Sequence, residues 1–212
     1  MLPTHALAGL AIGLAATAAS PEHAAVALVA GLLGGVFPDL DLYVGHRKTL
    51  HYPVYYSVLA AAAVVVAALI GGPMAVGAAV FLTGAAVHSV GDVFGGGLEL
   101  RPWEGTSERA VYDHHRGRWV VPRRWIGYDG SPADLMLSVG IAAPLFVTLD
   151  GVFRQGVLAC VAVAAGYTLV RRVLPDVADA LDRHLFARLP DALRAHVPDR
   201  YRGQSRPDTK AP

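Results

Sequence analysis

Six stretches of this chain, residues 5–20, 24–37, 54–72, 74–90, 135–149 and 155–170, are nearly free of charge and rich in Ala, Val, Leu and Gly. That is more apolar sequence than a soluble domain of 212 residues normally carries, and the chain as a whole is 54% hydrophobic, 17% charged and has a mean hydropathy of +0.42. The pattern predicts an all-α polytopic membrane protein with about six hydrophobic helices.

A spanning helix needs roughly 20 apolar residues, a length that 54–72 supplies comfortably. Segments 5–20 and 24–37 are shorter and are separated by Ser20, Pro21 and Glu22. They predict a hairpin that either crosses a thinned bilayer or dips in and returns. Both versions bring the chain back to the side on which it started.

Of the 18 Lys and Arg, two lie in residues 38–53, six in 91–134 and nine after residue 170, leaving Arg154 alone on the opposite side. By the positive-inside rule this predicts a multi-pass protein of the cell membrane with cytoplasmic termini and both long loops cytoplasmic. A net charge of +1 implies no general affinity for nucleic acid. The single cysteine, Cys160, excludes an intrachain disulfide and reads as a small core residue. No Lys or Arg precedes the first apolar run, so that run is expected to be a retained helix rather than a cleaved signal.

The expected organisation is a membrane-embedded domain over 1–172, including a cytoplasmic loop at 91–134, then an amphipathic helix over 173–199 and a disordered tail over 200–212. The amphipathic segment carries an apolar stripe at Val177, Leu181, Leu185, Leu189 and Leu193, as expected of a helix in the headgroup layer. Trp103, Trp119 and Trp125 stand near arginines, which suits an interfacial belt or a substrate-binding face.

Against this background, four histidines and three aspartates stand out because they occur only where apolar segments end: His5, Asp39, Asp41, His46, His51, His88 and Asp92. The predicted topology puts all seven on one membrane face. His88 and Asp92 are four apart, so a helix projects both from one side. Asp39 and Asp41 follow Pro38 and, in an extended segment, would point the same way. His46 is expected in the loop and His51 at the start of the third helix. His5 opens the first helix, where Gly9 leaves room for another backbone or a ligand.

Seven nitrogen and oxygen ligands exceed the needs of one zinc, so two divalent transition-metal ions, Zn or Mn, are expected. Paired ions of this kind activate water against a phosphoester or similar bond. Asp39 or Asp41 would accept the proton, and Arg47 would steady a substrate phosphate. Asp113, His114 and His115 read as solvated loop residues or as a lid. The helix interiors hold no ionisable residue, which removes the main support for a metal or proton carrier. A non-catalytic protein with a structural or sensing metal site is the competing class. Membrane lipid, a lipid substrate and a small soluble molecule all remain open as partners, and the oligomeric state is undefined.

Residues 1–103 resemble the YdjM-like family of membrane-bound metal-dependent hydrolases, through THALAG, PDLD after the second apolar segment, HRKTLH before the third, HSVGD ending the fourth, and the Gly-rich run to RPW. The resemblance implies metal binding by the same seven residues, and hydrolase activity. Two positions depart from the family pattern. Leu42 stands where a His is common, and Tyr52 follows His51 where a Ser is common. A more distant similarity to zinc-dependent phospholipase C proteins points toward phosphoesters by analogy alone.

Overall fold

The computed structural model describes residues 1–185 together with 188, 190 and 193. Its helices are α1 (Leu2–Thr17), α2 (Ala24–Val36), α3 (Pro53–Ile70), α4 (Pro73–Gly91), α5 (Pro132–Thr148), α6 (Gly151–Val170) and α7 (Leu174–His184). The first six coincide with the six apolar segments of the sequence. Four stretches are long and apolar enough to cross a membrane: Pro21–Asp41, Pro53–Ile70, Pro73–Phe94 and Gly151–Val170. At 16 and 17 residues, α1 and α5 fall short of that length. The described residues thus form an all-helical fold with four helices of spanning length, as suits a membrane protein.

Proline sets the start of α1, α3, α4, α5 and α7, where its fixed φ suits the first turn and its missing N–H would have had no partner. Between α3 and α4 the chain reverses through Gly71 and Gly72, both at positive φ (65° and 84°), which L side chains rarely adopt. Only one small sheet is found among the described residues, an antiparallel hairpin of β1 (Val111–Asp113) and β2 (Arg118–Val120) inside the 91–134 loop.

At the centre, α1, α2 and α4 pack on one another, with α3 against α4 and the α5–α6 pair against α1. Lipid tails are as apolar as Leu, so these helices gain little from the hydrophobic effect and must associate by close packing. Glycine permits it. A Cβ on Gly9 would stand 2.1 Å from the Gly31 carbonyl oxygen, and one on Gly35 would stand 2.3 Å from that of His5. Leu7, Leu10, Leu28, Leu145 and Val157 fill the space between this trio and the α5–α6 pair, with Cys160 packed at its edge. The outer faces carry the large exposed apolar residues, such as Val58, Val65 and Leu69 on α3.

The amphipathic C-terminal segment is helical over Leu174–His184, with Val177 and Leu181 exposed on its apolar side and Arg101 bonded to Asp176 and Asp179. The expected continuation to residue 199, including Leu189, and the tail 200–212 lie outside the described residues apart from 188, 190 and 193.

Candidate metal centre

Pro38 decides the first half of the site. It opens a 3-10 turn over Phe37–Asp41 instead of the extended segment that the sequence suggested. With about three residues per turn, positions two apart diverge by about 120°, so Asp39 and Asp41 face different partners. Asp39 faces His88 and His51, with its Oδ1 3.4 Å and 3.7 Å from their Nε2 atoms. Asp41 lies on the other side of His51.

From the C-terminal end of α4, His88 and Asp92 project together as the four-residue spacing predicted, with Nε2 and Oδ2 3.7 Å apart. His51, immediately before α3, completes the group, its Nε2 3.1 Å from Asp92 Oδ2. The four ligand atoms of Asp39, His51, His88 and Asp92 all lie within 4.8 Å of one another. Zinc–ligand bonds of roughly 2.0–2.1 Å place the corners of a tetrahedron about 3.3–3.4 Å apart. The separations of 3.1–3.7 Å just given bracket that value.

The hydrogen bonding of these side chains leaves the same atoms free. His51 Nε2, His88 Nε2 and Asp92 Oδ2 are buried and have no hydrogen-bond partner, a costly state that a buried polar atom adopts only with a reason. Their opposite ends are held. His88 Nδ1 donates to the Gly35 carbonyl at 2.6 Å, and His51 Nδ1 bonds Asp41 Oδ2 at 2.9 Å. Each bond fixes the ring with Nε2 turned inward, the orientation in which a neutral imidazole ligates. Asp92 Oδ1 is met by His5 Nε2 at 3.1 Å, while the His5 ring stacks on His88 at 3.9 Å. Gly91 makes room for this ring, since a Cβ there would lie 3.1 Å from His5 Cε1.

Asp41 is fully engaged. Its Oδ1 accepts from His46 at 3.0 Å and from the Arg47 backbone N–H at 3.3 Å, and its Oδ2 accepts from Leu50 N–H and His51. Of the seven residues singled out in the sequence, four converge on one point, and His5, Asp41 and His46 surround them. His51 lies between the spanning segments. Burial would lower its pKa, but the Asp41 and Asp92 carboxylates outweigh burial and raise it from 6.5 to about 9.

Arg47 adopts a positive φ of 60° and is buried. Its Nη1 donates to the carbonyls of Gly96 and Ala110, its Nε lies 3.5 Å from Asp92 Oδ2, and its carbonyl accepts the Tyr112 N–H. It thereby ties the metal loop to the glycine run and to the hairpin. The same hairpin carries His114, whose ring lies tilted at 4.3 Å from that of Tyr52. Asp113 caps its own turn through the N–H groups of His115 and Arg116. Trp103 lies beneath Arg171 and Arg172, Trp119 beneath Arg109, and Trp125 is exposed.

A cavity of about 340 Å³ has His46 and Arg47 in its wall, and these two side chains stand between it and the four clustered residues, none of which lines it. Among the ligands, the Asp39 side chain keeps surface (18% exposed), whereas those of His51, His88 and Asp92 are at 3% or less. Sequence reasoning missed Gly35, whose contribution is a backbone carbonyl, and the cavity residues Asp129, Tyr167 and Arg171, which lie far along the chain from the motifs. The Gly34-Gly35 pair gave a signal for close packing but none for its hydrogen bond. No family model, curated protein or solved structure matches this chain.

Proposed function

We propose that the chain is a membrane-bound metal-dependent hydrolase of a phosphoester-type bond, facing the cytoplasm, with Asp39, His51, His88 and Asp92 as ligands to one divalent ion, Zn or Mn. The observation that carries this reading is the convergence of three buried atoms without hydrogen bonds, His51 Nε2, His88 Nε2 and Asp92 Oδ2, beside Asp39 Oδ1. Imidazole and carboxylate together suit these metals. The sequence suggested two ions. One fits the group better, because both oxygens of Asp41 and the Nε2 of His5 are already bonded.

A divalent ion held there supplies a Lewis acid that polarises a phosphoryl oxygen and acidifies water. The protein's own residues do the rest. His5 and Asp41 hold Asp92 and His51 in ligating orientation. His46, fixed at Nδ1 by Asp41, stands in the cavity wall as a group able to take or give a proton. Asp41, saturated by four donors, is in no position to serve as the base. Asp39, His51, His88 and Asp92 would hold the ion, and a substrate would need an open side among them to reach it. The exposed side of Asp39 offers the route. The sequence resemblance supplies the word hydrolase, and the distribution of Lys and Arg supplies the cytoplasmic face.

The competing reading is a metal that fastens α2, α3 and α4, and the burial of three ligands speaks for it. Metal analysis of the purified protein tests the site itself: about one equivalent of transition metal is expected, with His88→Ala and Asp39→Ala each losing most of it. Unchanged metal content in both variants overturns the assignment. Release of phosphate from a panel of phosphoesters with added Zn or Mn separates hydrolase from clasp.

A further inference from the structure

The cavity beside the cluster is built from two kinds of surface. Arg47, His46 and Arg171 bring charge or polarity to its wall, and Leu42, Leu98 and Leu174 bring hydrocarbon. At about 340 Å³ it lies at the lower end of the range for small-molecule sites. His46 Nδ1 is 3.9 Å from Asp39 Oδ1, and Arg47 Nε is 3.5 Å from Asp92 Oδ2, so the polar wall also flanks two of the ligands.

The cations of the wall are held in place by the protein itself. Arg171 donates Nε to the Asp129 carbonyl and Nη2 to that of Leu100. Arg47, only 5% exposed, gives Nη1 to the carbonyls of Gly96 and Ala110 and keeps Nε 3.5 Å from Asp92 Oδ2. Two acids, Asp129 and Glu99, also line the wall. Asp129 accepts from the Tyr167 hydroxyl and from the amino group of Met1, and both Glu99 oxygens are buried without a hydrogen bond, Oε1 lying 4.0 Å from Arg124 Nη2.

The apolar wall continues outward. Leu40, Tyr43 and Val44, on either side of Leu42, are 66%, 73% and 69% exposed, and Leu174 begins the apolar side of α7 with Val177 and Leu181. Exposed apolar residues on both flanks of a charged cavity suit a ligand that arrives from the bilayer edge with its headgroup leading.

We infer that this cavity binds an anionic amphiphile, its phosphate against Arg171, Arg47 and His46 and its hydrocarbon chain along Leu42, Leu98 and Leu174. The inference rests on the hydrolase reading for its biological meaning, since it places a lipid phosphate beside the metal ligands. As a binding statement it stands apart from the metal.

The test uses the full-length protein in a neutral glycoside detergent with EDTA present, and native mass spectrometry to count bound dodecyl phosphate. Dodecyl phosphate is expected to bind at least about tenfold more tightly than inorganic phosphate or dodecyltrimethylammonium, because only it satisfies both walls. Arg171→Gln and Leu42→Asp are each expected to weaken it by about tenfold or more. Leu42 is 37% exposed, so its variant keeps the test decisive if Arg171→Gln fails to fold. Equal binding of inorganic phosphate identifies a soluble anion instead, equal binding of the ammonium amphiphile identifies mere hydrophobic adsorption, and wild-type binding by Leu42→Asp empties the proposed cavity. Each of these overturns the inference. Because no metal is present, failure here leaves the metal site standing, and loss of the metal site leaves this result intact.

Discussion

Asp41 bonds His51 through Nδ1 at 2.9 Å, on the side of the ring opposite the Nε2 that meets Asp92. A carboxylate in that position orients a ligating imidazole and raises its basicity. Asp41→Asn is therefore expected to fold and to retain the site but to bind Zn about 10–100-fold more weakly. Competition with a fluorescent chelator measures it, and an affinity equal to wild type would mean that Asp41 does not orient His51.

His51 also makes metal uptake depend on pH. In the metal-free protein its pKa is raised from 6.5 to about 9, yet only the neutral ring ligates. Apparent affinity should climb by about tenfold per pH unit through the interval below pH 9, one proton being released per ion. The sign for stability is the reverse. A raised folded pKa stabilises the metal-free protein fully below 6.5, and that contribution is lost as pH rises through about 9. Thermal melts of the EDTA-treated protein at pH 6 and pH 9 check this, and a melting temperature that rises with pH would contradict it.

Gly9 and Gly31 touch backbone to backbone, a Cβ on Gly9 falling 2.1 Å from the Gly31 carbonyl oxygen. Backbone offers no flexible end to move aside, so Gly9→Ala must push α1 from α2. A loss of about 1–3 kcal/mol is expected from such overpacking. Denaturant titration of the solubilised protein reads it, with the outward-facing Gly156→Ala, which meets nothing within 4 Å, as the neutral comparison.

Arg47 joins three parts of the chain that are remote in sequence: the metal loop, Gly96 and Ala110. Arg47→Met keeps the length but leaves those carbonyls unbonded and Asp92 without its nearest cation. The expected outcome is a stability loss of about 2–5 kcal/mol, as for breaking a buried ion pair, together with faster proteolysis in residues 91–131. A protease pattern identical to wild type would show that the loop is held by other means.

Much of this architecture was legible in the sequence. Long charge-free runs located α1–α6, because apolarity acts locally. The His88–Asp92 pair was legible for the same reason, since helical spacing alone sets it. The role of Asp41 was not, because it depends on Pro38 starting a 3-10 turn that rotates Asp41 away from Asp39. The second expected ion drew on residues already bonded, His5 to Asp92 when distant segments meet and Asp41 to His46 within one irregular loop whose path spacing does not give. The cavity escaped notice because its wall unites residues 42–47 with 96–102 and 167–174.

Gly35 serves two masters. Its missing side chain lets α2 lie against the His5 carbonyl, and its own carbonyl receives the His88 Nδ1 proton. The spacing of two helices and the tautomer of an imidazole are thus mechanically one variable. Any shift of α2 against α1 would therefore be felt at the His88 ring without a change to any side chain of the cluster.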